Sequence, residues 1–371
     1  MKFLIVTHVP HGNATQLFAY APYVREMNIW MTYADEVTVL APIGVMEKTP
    51  IHLDYKHNNI IVKSVPEINF QGLKNIITSL LSIPRIVWVM YKAMKDTDHI
   101  HLRCPGNIGL VGCFVQILFP DKQKTAKYAG NWDPKAKQPW SYKLQRFILQ
   151  NTFLTKNMQV LVYGAWKNSS KNIRSFFTAT YKESDKYPIA PRPLETGLNF
   201  LYVGTLSAGK RPMYAIALVE KLHKQGCNVR LELYGLGAEM RNIEEYIALN
   251  NLSDFILLKG NQTEEVVRKA YQSSHFLILP SKSEGWPKVV AESMFWGCLP
   301  IATAVSCVPF MLDYENRGIL LELEIDRDVT KIIEIINNAE EYESKVEKAV
   351  EWSRKYTLDL FSNEIKAILN S

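Results

Sequence analysis

Short runs of β-branched and aliphatic residues alternate along the chain with longer stretches of helical spacing, in two successive series. This rhythm is typical of parallel sheets whose strands are connected by helices. A polar stretch with three prolines, residues 180–195, separates the two series. The sequence therefore predicts an α/β protein with two doubly wound domains. The strands are expected at 3–6, 36–40, 99–102, 126–129 and 159–163, and then at 199–203, 230–234, 255–258, 275–279 and 299–302.

The length of the chain agrees with a division into two domains. At about 150 residues per domain, 371 residues correspond to roughly two and a half domains. We expect an N-terminal domain over 1–187, a second domain over 188–350, and a C-terminal helix over 351–371 that packs back on the first domain. Open α/β sheets bind ligands at the carboxyl ends of their strands, so we expect function in a central cleft that both domains face.

Composition excludes several classes of protein. Hydrophobic residues make up 47% of the chain and charged residues 22%, which is ordinary for a globular protein and excludes a disordered or fibrous one. The five cysteines form no C-x-x-C pair and no metal-ligand spacing, so we expect reduced thiols. The apolar run within the first eight residues is too short for a signal peptide before polar residues begin, and its pattern predicts a strand. We therefore expect a cytoplasmic protein.

Basic residues are concentrated in the first half of the chain. Residues 1–187 hold 23 Lys and Arg against 12 Asp and Glu, whereas residues 188–371 hold 20 against 25. Between 121 and 174 the basic residues are interleaved with aromatic ones, a mixture that suits an anionic surface. Two interpretations stay open: a solvated basic face, and peripheral contact with the inner face of the cell membrane. Nucleic acid is not expected as a partner, because no nucleic-acid-binding motif accompanies the charge.

The segment 73–94 is apolar and has helical spacing. We expect a buried pair of helices interrupted at Pro84, since apolar stripes at this spacing usually form core. The alternative is an amphipathic helix that lies in a membrane interface.

The most informative segment is Leu279–Met294, where a buried-strand pattern leads through a glycine-containing loop into a helix. Pro287 suits the first helical position, so we expect a helix from Pro287 to Trp296. Its N-terminus offers free N–H groups to an anion. Glu284 precedes the helix and Glu292 follows about 7.5 Å further along it, at 1.5 Å per residue. Two carboxylates thus flank a phosphate-sized site and could accept hydrogen bonds from sugar hydroxyls.

Two further glycine turns follow predicted strands of the second domain. Gly204 is followed by Lys210 and Arg211, which could neutralise phosphate charge. Gly235 and Gly237 form the other turn. Each turn alone is a weak signal, because such turns are common after strands.

Together these segments resemble the retaining glycosyltransferases of the GT-B fold, with two Rossmann-like domains, most closely family 4 (group 1). The resemblance covers residues 199–318 and includes the Glu-x7-Glu element formed by Glu284 and Glu292. It implies catalytic roles for Lys210, Arg211 and Glu284, with Lys210 on the diphosphate and Glu284 on the transferred sugar. It also implies contacts with the donor nucleotide-sugar for a larger set. These are Gly204, Thr205, Gly235, Gly237, Lys259, Asn261, Ser283, Gly285, Trp286, Pro287, Lys288, Val289 and, on the ribose, Glu292.

The resemblance implies transfer of a hexosyl-type sugar from UDP- or GDP-sugar to a glycan or lipid-linked acceptor, in synthesis of cell-surface polysaccharide or glycoconjugate. No cofactor is expected. A metal is not expected either, because no Asp-x-Asp element stands where a divalent ion would bridge the phosphates. Two alternatives stay open: a nucleotide-sugar 2-epimerase of the same fold, and a catalytically inactive nucleotide-sugar-binding protein.

The chain departs from the family pattern at two places. Thr205 stands where the family often has an arginine, and Arg211 is the candidate to replace that charge. In the loop after the first strand, only Gly12 remains of the usual glycine-rich sequence. The polar residues that follow strands of the first domain are assigned to the acceptor side. They are His11, Gly12, Arg103, Asn107, Asn131 and Asp133.

Overall fold

The computed structural model describes residues 1–13, 16–49, 51–69 and 72–370. The chain divides into two compact units, one formed by residues 1–177 with those from Ser362 onward, and one formed by residues 178–361. The boundary therefore follows Phe177, whereas the sequence analysis placed it after 187. Of the segment 351–371, only the part from Ser362 groups with the first unit.

The first unit contains a seven-stranded parallel sheet covered by helices. The strand order is β11-β10-β9-β8-β1-β4-β7. All five strands expected in this half are present. The elements are β1 (Lys2–Val6), β2 (His11–Asn13), β3 (Leu17–Tyr20), α1 (Ala21–Met31), β4 (Glu36–Ala41), β5 (Ile43–Gly44), β6 (His52–Asp54), β7 (Ile60–Ser64), α2 (Leu73–Lys95), β8 (His99–Cys104), α3 (Asn107–Val115), β9 (Gln123–Tyr128), α4 (Trp140–Gln150), β10 (Met158–Tyr163) and β11 (Ile173–Phe176).

A small second sheet in this unit was not expected. Its order is β5-β2-β3-β6, and its strands have two to four residues. Strands this short carry too few alternations for a sequence pattern to reveal them. Gly12 lies in this sheet, where a Cβ would stand 2.1 Å from the ring of Phe18. The absence of a side chain at Gly12 therefore admits a core phenylalanine.

The expectation of a buried helix pair broken at Pro84 is wrong. Residues 73–95 form one helix, α2, with Pro84 inside it. Ile86 and Met90 in its C-terminal half are buried in the core, but Leu81 in its N-terminal half is 77% exposed. Among the helices of the described residues, α2 alone has the length and apolar composition to cross a membrane. The apolar spacing predicted the helix correctly, but it could not show that Leu80 and Leu81 in the N-terminal half are exposed.

The second unit contains a six-stranded parallel sheet of order β14-β13-β12-β15-β16-β17. The five strands expected here are present, and both units have the predicted α/β class. The elements are β12 (Leu198–Val203), α5 (Pro212–Lys224), β13 (Val229–Tyr234), α6 (Met240–Leu249), β14 (Ile256–Gly260), α7 (Glu264–Ser273), β15 (Phe276–Leu279), α8 (Lys288–Phe295), β16 (Leu299–Thr303), α9 (Val308–Met311), β17 (Ile319–Leu321), α10 (Ile325–Ile336), α11 (Ala339–Ser353) and the start of α12 (Leu358–Leu369). The part of α12 from Ser362 onward groups with the first unit.

The strand order of the second sheet reverses between β12 and β15. The chain runs outward from β12 through β13 to β14, and then returns to β15 on the other side of β12. In open α/β sheets the crevice at such a switch point is where ligands bind. Phe200 on β12 and Phe276 on β15 stack in the buried core, with ring centroids 5.1 Å apart, and fix the two strands side by side.

Candidate functional site

The loops that follow β12 and β15 meet at this switch point. The backbone N–H of Lys282 donates to the carbonyl of Gly209 over 2.8 Å. The Lys210 ammonium donates to Oε1 of Glu284 over 2.6 Å. The Arg211 guanidinium lies 3.5 Å from the carbonyl oxygen of Pro280. The structure therefore brings together the three residues predicted to be catalytic.

The Lys210–Glu284 pair is unevenly exposed. The Glu284 side chain is 9% exposed, whereas that of Lys210 is 32% exposed. A nearly buried carboxylate needs a cation or hydrogen-bond donors, and here the ammonium supplies both. An anion that bound to Lys210 would compete for this ammonium and would leave the carboxylate in need of new donors, such as hydroxyl groups.

Helix α8 begins directly after this loop. Pro287 is its N-cap residue and the helix runs from Lys288 to Phe295, within one residue of the predicted bounds at each end. Within the described part of the chain, no side chain caps its first turn. The first N–H groups of the helix are thus free of side-chain partners, and the helix dipole favours an anion there. Lys288 and Val289 are half-buried at this end, and Ser283 is exposed in the preceding loop.

The Trp286 side chain anchors the loop by packing in the core of the second unit. Its ring is buried and packs against Trp352, at a centroid distance of 6.0 Å, and against Tyr356 at 5.7 Å. The neighbouring Gly285 carbonyl accepts hydrogen bonds from the Ser306 hydroxyl and the Cys307 thiol. Burial raises the pKa of the Cys307 thiol to about 12, so it stays a neutral donor. Trp286 thus contributes its backbone to the loop surface, and its indole to the core.

Glu292 lies on α8 with both carboxylate oxygens hydrogen-bonded. The Thr180 hydroxyl donates to Oε1 over 2.7 Å, and the Tyr271 hydroxyl donates to Oε2 over 3.1 Å. Tyr271 is fully buried, and burial raises its pKa well above the usual value, with the nearby Glu292 charge acting in the same direction. These two hydroxyls fix the orientation of the carboxylate. Sequence reasoning missed both, because they lie 112 and 21 residues away in the chain without a local pattern.

The two glycine turns of the second unit pack backbone against backbone. A Cβ on Gly235 would stand 2.0 Å from the Gly204 carbonyl oxygen, and one on Gly237 would stand 2.2 Å from that of Leu206. Gly235 also has a φ of 138°, which disfavours other residues. The Leu206 N–H donates to the Leu236 carbonyl over 3.0 Å. These glycines therefore set the position of the loop that leads to Lys210.

The remaining residues assigned to the donor lie at the end of a strand or in loops of the second unit. Thr205 is exposed, and its carbonyl accepts from the Tyr202 hydroxyl over 3.1 Å. Lys259 Nζ lies 3.3 Å from the carboxylate of Glu232, and Asn261 is exposed in the turn after β14. Their donor contacts stay predictions.

His11, assigned to the acceptor side, is buried in the first unit. Its Nδ1 lies 2.7 Å from the Val9 carbonyl and therefore carries the proton, so Nε2 accepts from the Tyr55 hydroxyl, also over 2.7 Å. Burial lowers the pKa of His11 to about 4. Both ring nitrogens are thus already engaged within the protein. A direct role of His11 at an acceptor stays a prediction that requires one of these bonds to break.

Arg103 is also buried, in an ion pair. Its guanidinium lies 2.5 Å from the Glu26 carboxylate, and the ammonium of Lys127 lies 3.7 Å from the same oxygen. Burial is the largest single effect and lowers the pKa of Arg103, but the attraction of Glu26, Tyr163 and Tyr23 together raises it by more, so the group stays charged. Glu26 and Lys127, which sequence reasoning did not single out, complete this buried charge cluster.

The other acceptor-side residues are hydrogen-bonded within the first unit. Asn107 Nδ2 donates to the Ile68 carbonyl over 2.9 Å. Asn131 Oδ1 accepts from the Asp133 N–H, and Asp133 Oδ1 accepts from the Lys135 N–H, each over 2.8 Å. The contacts of Asn131 and Asp133, which join residues two apart in the chain, are typical of Asx turns. Their proposed contact with an acceptor stays a prediction.

Within the described residues, no group of three or more His, Cys, Asp or Glu side chains is arranged to hold a metal ion.

Residues 185–352 match a family model described as "Glycosyl transferases group 1". This match spans most of the second unit, including both loops at the switch point and helix α8. A curated relative, an uncharacterized glycosyltransferase of Methanocaldococcus jannaschii, is 33% identical over 127 residues, which cover 34% of this chain and 36% of the relative. The chain thus matches about a third of the length of that relative.

Solved structures are similar over the whole chain. The lipopolysaccharide outer core galactosyltransferase WaaB, in its apo form, has a TM-score of 0.69 at 16% identity, covering 100% of this chain and 99% of WaaB. Anabaena HepE, in complex with UDP and glucose, has a TM-score of 0.67 at 13% identity, covering 100% of both chains. At these identities the similarity shows the fold, which is GT-B with two Rossmann-like domains. The family match over residues 185–352 therefore relates the second unit to group 1 glycosyltransferases, and the solved structures show the fold alone.

Proposed function

We propose that this chain is a retaining glycosyltransferase that moves a sugar from UDP- or GDP-sugar to a glycan or lipid-linked acceptor. The observation that carries the proposal is the Lys210–Glu284 contact of 2.6 Å at the switch point of the second sheet. It places a cation and a carboxylate beside the uncapped N-terminus of α8, as a diphosphate joined to a sugar requires.

In the proposed reaction, the donor replaces this internal ion pair. Lys210 turns to the diphosphate, together with Arg211 and the first N–H groups of α8. Glu284 then accepts hydrogen bonds from hydroxyls of the transferred sugar. Because the carboxylate exchanges one donor for others, it is not left unpaired in a poorly hydrated place.

The transfer step needs no nucleophile from the protein. The acceptor oxygen forms a bond to the anomeric carbon on the face that the diphosphate leaves, and the bond from that carbon to the phosphate oxygen breaks. The acceptor proton passes to the departing phosphate oxygen, so charge and atoms balance. The role of Lys210 and Arg211 is to stabilise the negative charge that develops on the diphosphate.

Glu292 is proposed to hold the ribose of the donor nucleotide. Its two oxygens are oriented by the hydroxyls of Thr180 and Tyr271, and each oxygen keeps a further lone pair for a ribose hydroxyl. HepE with bound UDP and glucose supports a nucleotide-sugar donor. WaaB, a lipopolysaccharide outer core galactosyltransferase, supports a role in cell-surface polysaccharide or glycoconjugate synthesis. A location at the cytoplasmic face of the membrane stays a prediction.

The donor can be identified with a thermal-shift screen of UDP-, GDP- and ADP-sugars. A donor at one hundred times its Kd is expected to add about 2.7 kcal/mol of stability. Product formed with the best donor would then be examined by NMR, where retention of the anomeric configuration is expected. An inverted product would contradict the retaining mechanism.

The two alternatives give different outcomes. Incubated without any acceptor, a 2-epimerase would change the sugar of the donor, whereas the proposed transferase would release it only by slow hydrolysis. A protein that binds the nucleotide tightly but transfers sugar to none of the glycan or lipid-linked acceptors offered would support the inactive binding protein. The Glu284→Ala variant serves as the control in each assay.

A further inference from the structure

Helices α2, α3 and α4 cover one part of the sheet in the first unit. Side chains from all three helices, among them Met90, Cys113 and Ile148, enter the same buried core. Helix α3 contacts α2 on one side and α4 on the other. The three helices therefore form one layer whose inner face packs on the sheet and whose outer face is turned to solvent.

The outer face of this layer is unusually apolar. Nine large hydrophobic side chains on these helices, or in the turns that follow them, are half or more exposed. Four are on α2, two lie at or after the end of α3, and three are on or just after α4. We name these nine residues the helix-layer surface. They are Ile77, Leu80, Leu81, Trp88, Phe114, Leu118, Trp140, Phe147 and Phe153.

The same helices carry positive charge and no negative charge. The segments 73–95, 107–118 and 140–150 contain no Asp or Glu. Five exposed cations lie on α2 and α4. They are Lys74, Arg85, Lys92, Lys95 and Lys143.

Some cations stand beside the exposed rings. Lys92 Nζ is 4.6 Å from the ring centroid of Trp88, and Lys156 Nζ is 5.4 Å from that of Phe153. Apolar side chains with cations at their edges, and Trp among them, are the composition that favours the boundary between water and anionic lipid.

We propose that the helix-layer surface docks on a bilayer of anionic lipids, with α2 lying in the interface. This inference rests on the proposed function, since it gives the lipid-linked acceptor a surface on which the protein works. The proposal identifies the residues that contact the membrane. An excess of basic residues alone would not show which face of the first unit makes that contact.

A spanning arrangement of α2 is disfavoured by its own packing. Ile86, Met90 and Met94 in its C-terminal half are fully buried in the core of the unit. To cross a bilayer, the helix would have to leave this core and expose the other side chains that line it. Lying in the interface needs no such change, because only the side chains already exposed enter the lipid.

A second copy of the chain fits this surface less well than a lipid does. A symmetric contact would set each copy's cations near those of the other, since α2, α3 and α4 offer no carboxylate to pair with them. An anionic bilayer supplies that opposite charge at every point of the surface. Charge complementarity therefore favours the lipid.

The test measures sedimentation of the full chain with vesicles of phosphatidylcholine, alone or with phosphatidylglycerol. Binding is expected only with the anionic lipid and is expected to weaken as salt is raised. Lipids brominated on the acyl chain should quench part of the tryptophan fluorescence, because Trp88 and Trp140 enter the interface. Equal binding to neutral vesicles, or no quenching, would overturn the proposal.

Two sets of variants identify the face. The charge reversal Lys143→Glu is expected to weaken partitioning at least fivefold, the change that corresponds to about 1 kcal/mol per cation near an anionic surface. The double variant Leu80→Glu/Leu81→Glu should weaken it further. Leu249→Glu and Lys269→Glu make the same changes at exposed residues of the second unit and should leave binding unchanged. If the controls lose binding as much as the helix-layer variants, this face is not the docking surface.

Two further outcomes distinguish lipid docking from dimer formation and from the proposed function. A dimer seen by analytical ultracentrifugation, and lost in the leucine double variant, would assign the face to a second copy and overturn lipid docking. Glu284→Ala should bind vesicles like the unaltered chain while losing transfer. Transfer to soluble acceptors without vesicle binding would refute the docking alone, and vesicle binding without transfer to any acceptor would refute the proposed function alone.

Discussion

The ammonium of Lys210 and the carboxylate of Glu284 contact each other at 2.6 Å across the two loops that leave adjacent strands of the second sheet. They are 74 residues apart in the chain. Lys210 is predicted to contact the diphosphate of the donor and Glu284 its sugar, but in this structure the two side chains contact each other. Donor binding would therefore replace the Lys210–Glu284 ion pair with contacts to the diphosphate and to the sugar hydroxyls. This replacement can be tested by mutation.

We expect Lys210→Ala to lower kcat by roughly 10²- to 10³-fold, the range for loss of one preorganised donor to a developing anion. Glu284→Ala should lower kcat/KM severely as well. Lys282→Ala, which removes an exposed lysine two residues before Glu284, is the matched control and should keep activity. Near-normal turnover in Lys210→Ala or Glu284→Ala would contradict the proposed function.

The pair also predicts non-additive effects on stability. Because removal of Lys210 leaves a nearly buried carboxylate without its cation, Lys210→Met should destabilise the second unit more than the double variant Lys210→Met/Glu284→Gln does. Urea unfolding of the four members of this cycle measures the difference. Additive values would mean that the two groups do not interact in solution.

Tyr271→Phe should weaken binding of the donor nucleotide about five- to tenfold, because Glu292 loses one of the hydroxyls that orient it, a hydrogen bond worth about 1 kcal/mol or slightly more. The matched control is Tyr246→Phe. It removes a hydroxyl that donates to Glu220 over 2.7 Å, on another carboxylate of the same unit. Titration calorimetry with UDP or GDP compares the two variants. Equal effects would indicate a general loss of stability and no specific role at Glu292.

Gly235→Ala is expected to destabilise the second unit by about 1 to 3 kcal/mol, since the new Cβ would overlap the Gly204 carbonyl and the backbone would have to move. Gly209→Ala is the control, because the nearest heavy atom to its Cβ is 4.0 Å away. Thermal unfolding measures both. Should Gly235→Ala unfold like the unaltered chain, the close approach of the two turns would be refuted.

The stability of the first unit should fall as pH is lowered from about 6.5 to about 4. Burial lowers the pKa of His99 to about 4 in the folded protein, below the ordinary 6.5 of an unfolded histidine. Between these values the unfolded chain binds a proton that the folded one does not, so this contribution is complete above pH 6.5 and is lost toward pH 4. It amounts to about 3 kcal/mol for a shift of this size.

The His99→Gln variant keeps a side chain that can bond to the Thr125 hydroxyl, but it removes the titrating group. Its unfolding midpoint should therefore depend less on pH over this interval. His223→Gln, at an exposed histidine of the second unit, is the control. An unchanged pH profile in His99→Gln would contradict the assignment.

Local patterns were sufficient for five strands in each of the two large sheets and for the loop that leads into α8. Strands such as β1 and β15 are buried on both faces, so their residues form continuous apolar runs that are visible without any tertiary information. Pro287 and the glycine loop before it mark the start of α8 within one residue. The order of these motifs also carried the resemblance to group 1 glycosyltransferases, which the family match over 185–352 supports.

What the sequence determined by itself was therefore the class of fold, five strands of each of the two large sheets and the segment that carries the candidate site. Only the tertiary structure decided that Lys210 pairs with Glu284 and that Thr180 and Tyr271 orient Glu292. It also decided that His11 and Arg103 are buried and that Leu80 and Leu81 of α2 are exposed. The physical reason is the separation along the chain between the residues that interact. Strand and helix patterns arise from neighbours along the chain, whereas hydrogen-bond partners and burial depend on residues that only folding brings within a few ångströms.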